Sequence, residues 1–119
     1  MKVLIVEDNA AMRRLIRTLL SDLTGALCEC EDGLEALPAY LRHRPDWVLM
    51  DVKMPGLDGI EASQRILAAD PKAKIVIVTD YDDERLRNAA KKAGARGYVL
   101  KERLLDLKPM LSGETEQRQ

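Results

Sequence analysis

Four short apolar runs in this chain each stop at a polar residue capable of chemistry. Val3 to Val6 is followed by Glu7 and Asp8, Trp47 to Met50 by Asp51, Ile75 to Val78 by Thr79, and Tyr98 to Leu100 by Lys101. Val3-Leu4-Ile5-Val6 and Ile75-Val76-Ile77-Val78 lack the alternation of a strand with one wet face, so they read as strands buried on both faces. Such a sheet needs helices on both sides, and parallel strands would bring all these polar residues to one edge.

The intervening segments supply those helices. Between Asn9 and Leu23, the residues Met12, Leu15, Ile16, Leu19, Leu20 and Leu23 recur at helical spacing, with Arg13, Arg14 and Arg17 on the opposite face. A second helix is expected from Asp32-Gly33 to about Arg44, bent or loosened by Pro38. The third starts at Asp58, with Glu61 placed for a capping box and Ile60, Ser63, Ile66 and Leu67 inward. The fourth spans about Asp82 to Ala93, with Leu86, Ala89, Ala90 and Ala93 inward, and ends at Gly94. A fifth is expected from about Glu102 to Leu111. Strand-helix repetition of this kind predicts a doubly wound α/β (βα)5 fold. In the flavodoxin-like order 2-1-3-4-5, ligands sit at the switch between strands one and three, where Glu7, Asp8 and Asp51 stand.

A length of 119 residues suits about one domain, read as 1–111 with a polar, disordered tail over 112–119. No second domain is expected. Nineteen basic residues against 20 acidic ones give a net charge of −1, so bulk charge does not draw the chain to nucleic acid or an anionic membrane. The apolar runs fall far short of the roughly 20 residues of a membrane helix, and a cytoplasmic location is expected. Cys28 and Cys30 alternate along one strand, poorly placed for a disulfide and without companions for zinc, and read as small apolar packing groups. His43 reads as a surface residue.

Three carboxylates in one cleft repel one another unless a cation joins them. Oxygen-only donors point to Mg²⁺, which takes one or two carboxylates together with phosphate oxygens. Lys101 as a point charge and Thr79 as a neutral donor suit a phosphoryl group. Asp51, at the end of a central strand and ahead of the turn Val52-Lys53-Met54-Pro55-Gly56, is the candidate nucleophile.

With these residues in view, the sequence resembles the receiver domains of two-component response regulators. The resemblance rests on Val3 to Asp8, Asp51 to Gly59, Val78-Thr79 and Gly94 to Lys101, and it covers essentially the whole chain. It implies that Asp51 accepts a phosphoryl group from a sensor histidine kinase or phosphotransfer protein. It further implies Mg²⁺ held by Glu7, Asp8, Asp51 and the backbone carbonyl of Lys53, with Lys101 and Thr79 on the phosphoryl oxygens. Thr79 and Tyr98 would then shift and reshape the face of helix four, strand five and helix five for a downstream output protein or domain, with a homodimer formed on phosphorylation left open. Lys53 and Tyr81 stand at the two variable positions that tune hydrolysis of the acyl phosphate. They are expected to shield it.

Two residues depart from the family pattern. Asp80 adds a carboxylate beside the switch hydroxyl, and Glu102 replaces a common proline after Lys101, as in receivers attached to LuxR-type DNA-binding domains. The chain is thus either a stand-alone receiver or the receiver fragment of a DNA-binding regulator. A receiver-like module signalling without phosphate is a further alternative. An aspartyl-phosphate phosphatase is disfavoured, because Lys53 replaces the second aspartate such enzymes carry, and no separate-substrate turnover is expected.

Overall fold

The computed structural model describes residues 1–113. Its elements run β1 (Lys2–Val6), α1 (Ala10–Leu19), β2 (Ala26–Cys30), α2 (Gly33–His43), β3 (Trp47–Met50), α3 (Gly59–Ala69), β4 (Ile75–Thr79), α4 (Glu84–Ala93), β5 (Gly97–Leu100), a 3-10 helix (Lys101–Asp106) and α5 (Leu107–Leu111). All strand pairs are parallel, in the order β2-β1-β3-β4-β5. This is the expected flavodoxin-like fold. The predicted disordered tail lies, from residue 114 onward, outside the described residues, while Ser112 and Gly113 form the turn after α5.

The pleat divides each apolar run between two cores. Leu4, Val6, Val48, Met50, Ile75 and Ile77 pack with residues of α2, α3 and α4, including Ala36, Tyr40, Ile66 and Ala90. Val3, Ile5, Trp47, Leu49, Val76 and Val78 face Ile16 and Leu20 on one side of the chain's first helix and Leu107 and Leu111 of its last. Because both faces are filled, a continuous apolar run is what each strand requires.

Caps fix where the helices begin and end. Asn9 Oδ1 accepts from the Met12 N–H, Asp32 Oδ1 from that of Glu35, and Asp58 Oδ1 from that of Glu61, the forward half of the predicted capping box. Gly94 ends α4 at a φ of 103°, a left-handed conformation that glycine adopts without strain. Only a glycine also fits at position 59, since a Cβ there would lie 1.9 Å from the Asp51 carbonyl oxygen. That close approach seats the start of α3 directly beneath the end of β3.

Several local expectations need correction. The apolar stripe of α1 is narrower than its periodicity suggests: Leu15 is 51% exposed, and helical structure stops at Leu19. Arg13, expected on the solvated face, is half-buried and paired. α2 runs unbroken through Pro38; the donor that proline removes would have bonded the Leu34 carbonyl, and both residues are exposed, so water can take its place. α4 begins two residues later than expected, capped by Asp83. The fifth helix divides into a 3-10 segment and a short α-helix, with Arg103 in a non-helical conformation. Pro109 stands in the first turn of α5, where its missing N–H costs no hydrogen bond.

Candidate functional site

The carboxyl ends of β1, β3, β4 and β5 converge as the sequence predicts. Glu7 and Asp8 follow β1, Asp51 follows β3, Thr79 closes β4, and Lys101 follows β5. Carboxylate oxygens of Glu7, Asp8 and Asp51 all lie within 4.8 Å of one another. Glu7 and Asp51 are buried, whereas Asp8 is exposed at the rim. Because Asn9 and not Asp8 caps α1, the Asp8 carboxylate is left to the cleft.

Backbone bonds set Asp51 in place. Its N–H donates to the Val6 carbonyl at 3.0 Å, tying the end of β3 to the end of β1. One carboxylate oxygen, Oδ1, accepts from the Val52 N–H at 2.9 Å. The other, Oδ2, lies 3.5 Å from the Lys101 ammonium, which is 2.8 Å from Glu7 Oε1. Burial, followed by the charge of Glu7, pushes the Asp51 carboxyl up to about 7, against the opposing pull of Lys101 and the Val52 N–H. Burial works to lower the pKa of Lys101, but its hydrogen bond to Glu7 and the charges of Asp51, Glu7 and Asp80 outweigh it and leave the group raised.

Two of the three carboxylates, Glu7 and Asp51, share the single Lys101 ammonium and Asp8 stands beside them, so the cleft holds surplus negative charge. The donors are all oxygen, and burial, followed by the neighbouring charge of Glu7, makes the ionised form of Asp51 costly unless further positive charge joins it. This donor set fits a hard divalent ion such as Mg²⁺.

Thr79 is fully buried, and its hydroxyl accepts from the Tyr81 N–H at 3.2 Å, which fixes the first turn after β4. The Tyr98 hydroxyl donates to the Tyr81 carbonyl at 2.5 Å. Arg87 of α4, expected in solvent, stacks over the Tyr98 ring at 4.4 Å from its centroid. Lys53 and Tyr81, on opposite loops, meet as well: the Lys53 ammonium lies 4.6 Å from the centre of the Tyr81 ring. Asp80 is exposed and lines, with Lys101, Met12 and Leu15, a groove beside α1.

Periodicity on α1 missed Arg13. A helical side chain leans toward the helix N-terminus, so an arginine in the first turns of α1 reaches back over the β1–α1 loop. There it donates to the Glu7 carbonyl at 2.7 Å. The two cysteines are as expected: both are free, Cys30 is buried with its thiol pushed up to about 12 by that burial, and Cys28 packs at the edge of the same core.

Comparison with known proteins agrees with this geometry. The response regulator receiver domain family matches residues 3–110. The chain is 41% identical over 100 residues to the chemotaxis protein CheY of Halobacterium salinarum, covering 84% of this chain and 83% of that protein. It is 37% identical over 102 residues to the response regulator GacA of Pseudomonas aeruginosa, of whose length it spans about half, 48%. Among solved structures, a LuxR-family two-component response regulator from Aurantimonas sp. SI85-9A1 superposes with a TM-score of 0.83 at 32% identity, over 94% of this chain and 85% of that one. The response regulator domain of Thermotoga maritima CheB gives 0.81 at 25% identity, over 98% and 94%. No helix among the described residues is long and apolar enough to cross a membrane. Members of this family are signalling domains and not enzymes that turn over a separate substrate, and the chain belongs to it as a response-regulator receiver domain of two-component signalling.

Proposed function

We propose that Asp51 is the phosphoryl acceptor, charged by a phosphohistidine on a partner histidine kinase or phosphotransfer protein in the cytoplasm. The observation that carries this reading is the convergence of Glu7, Asp8, Asp51 and Lys101 at one edge of a parallel sheet. An Asp51 carboxylate oxygen attacks phosphorus as the P–N bond breaks; the electron pair returns to the imidazole nitrogen, which regains a proton from solvent. A carboxylate needs no separate base for this step, and its demands are positioning and charge stabilisation.

Glu7, Asp8, Asp51 and the Lys53 carbonyl are the residues that would hold Mg²⁺, whose contribution is to neutralise charge on the phosphoryl oxygens. Lys101 is placed to leave its carboxylate partners for the incoming phosphoryl group. Thr79 is placed to follow, at the cost of its bond from the Tyr81 N–H. Tyr81 is the point where that movement meets Tyr98 and Arg87, so the reading extends to a changed surface over α4, β5 and the 3-10 and α5 helices, offered to an output protein or domain. Lys53 stacked on Tyr81 shields the acyl phosphate from water.

Intact-mass measurement after incubation with acetyl phosphate and Mg²⁺ tests the acceptor. A single base-labile gain of about 80 Da, absent in Asp51→Asn and without Mg²⁺, is the outcome expected of a covalent aspartyl phosphate. No adduct with acetyl phosphate or with a panel of phosphorylated histidine donors would favour a module that signals without phosphate.

A further inference from the structure

Glu7 is held at every polar group it has. Its N–H donates to the Cys30 carbonyl at 3.1 Å, and its Oε2 accepts from the Asn9 N–H at 3.1 Å. Its Oε1 lies 2.8 Å from the Lys101 ammonium. The fourth contact is the Arg13 guanidinium on its carbonyl, 2.7 Å from Nη1. Only this one involves a side chain not already placed in the candidate site or its loop.

The guanidinium is itself anchored from its other side. Arg13 Nε bonds Glu29 Oε1 at 3.0 Å and Nη2 reaches Glu31 Oε1 at 3.5 Å, both on or just past β2, and Glu29 also pairs with Arg17. The Arg13 side chain is only 13% exposed, and a planar fork held this way has little freedom. A bond to the Glu7 carbonyl fixes the plane of the peptide that joins Glu7 to Asp8, and that plane sets the direction in which the Asp8 side chain leaves the backbone.

We infer that Arg13 is a positioning residue of the acidic site, holding the Glu7–Asp8 peptide so that both carboxylates face a shared divalent cation. This inference rests on the metal reading given above. Arg13 touches no phosphoryl group and acts only through Glu7. Charge and position make opposite predictions. Removing a cation beside an acidic site would by Coulomb's law alone leave Mg²⁺ binding unchanged or tighten it, whereas removing a positioning residue loosens it, by about 10-fold to 100-fold for partners that orient metal ligands.

The test is calorimetric titration of the metal-free chain with Mg²⁺ alone, on folded protein confirmed by thermal melting. Arg13→Met is expected to weaken Mg²⁺ binding by about 10-fold or more. Arg13→Lys, whose single ammonium cannot span the Glu7 carbonyl and Glu29 together, is expected to lie between, and it carries the test if Arg13→Met fails to fold. Arg14→Met removes the same charge from an exposed position of α1 and is expected to bind Mg²⁺ no more weakly than the native chain. Unchanged or tighter binding by folded Arg13 variants overturns the inference, whatever their melting temperature. Absence of Mg²⁺ binding by the native chain overturns the metal reading instead. Hydrogen exchange at the Asn9 amide, accelerated in Arg13→Met if the peptide is released, then still decides whether Arg13 holds it.

Discussion

Lys101 places its ammonium 2.8 Å from Glu7 Oε1, joining the end of β5 to the end of β1 across the two strands that separate them. The same ammonium lies 3.5 Å from Asp51 Oδ2. One cation thus holds the two buried carboxylates of the cleft.

Replacing that cation leaves both buried carboxylates without its charge, with only the Asn9 N–H on Glu7 and the Val52 N–H on Asp51. Lys101→Met is expected to destabilise the metal-free chain by about 3 kcal/mol at pH 8. At pH 5 the loss should be smaller, because Asp51 can then take up a proton. Urea denaturation at the two pH values measures both numbers, and equal losses would mean that Lys101 does not serve Asp51.

Asp51 itself gives stability a slope with pH. Its carboxyl stands at about 7 in the folded chain against about 3.9 unfolded. Between those values the folded state binds a proton that the unfolded state has released, so the favourable contribution is complete below about pH 4 and lost as pH rises through about 7. Asp51→Asn removes this slope and should raise Tm at pH 8 by roughly 3 °C or more, as about 1 kcal/mol does in a domain near this size. Mg²⁺ should protect the native chain and not the variant, by about 2.7 kcal/mol at 100-fold over its dissociation constant.

In the reading proposed above, Lys53 and Tyr81 close the mouth of the cleft through their cation-π contact. At an exposed site such a contact is worth about 0.5–1 kcal/mol, which corresponds to roughly a two- to five-fold change in how often the mouth is open. Lys53→Asn with Tyr81→Ala is expected to shorten the phosphoryl half-life by at least that factor. Decay of a radiolabelled phosphoryl group after removal of donor measures it, and an unchanged half-life would exclude shielding.

Gly59 leaves no room for a side chain against the Asp51 carbonyl. Gly59→Ala must push α3 away from the end of β3, at a cost of about 3 kcal/mol or more. Phosphorylation should fall with it, because the displaced carbonyl belongs to Asp51, the proposed acceptor. Chemical denaturation and acetyl phosphate labelling, run side by side, check the two effects.

Much of this was legible because the fold writes itself into local pattern. Runs filled on both faces have to be apolar throughout, and the polar residue that ends each run marks where the strand leaves the core. Caps are equally local: Asp32, Asp58 and Gly94 act within a few residues of themselves. What escaped notice depends on long side chains meeting across loops. Helical spacing alone puts Arg13 on the wet face, yet its partners Glu29 and Glu31 lie 16 and 18 residues away in sequence. The stacking of Lys53 on Tyr81 and of Arg87 on Tyr98 has the same origin, since each pair joins different elements. Leu15 fits the helical period but looks past the core, because neighbouring Ile16 and Leu20 already fill the space beneath α1.

The ion cluster on β2 bears on a different hazard. β2 is an outer strand of the sheet, and an uncovered strand margin is a template on which a second chain can add and begin to aggregate. Glu29, one residue before the end of that strand, pairs with Arg13 and Arg17 of α1. An arriving strand would have to lie alongside this ionic patch and strip water from it. Charge at an open margin is how natural sheets discourage such additions, and the ion pairs of Arg13 and Arg17 with Glu29 put charge at this one.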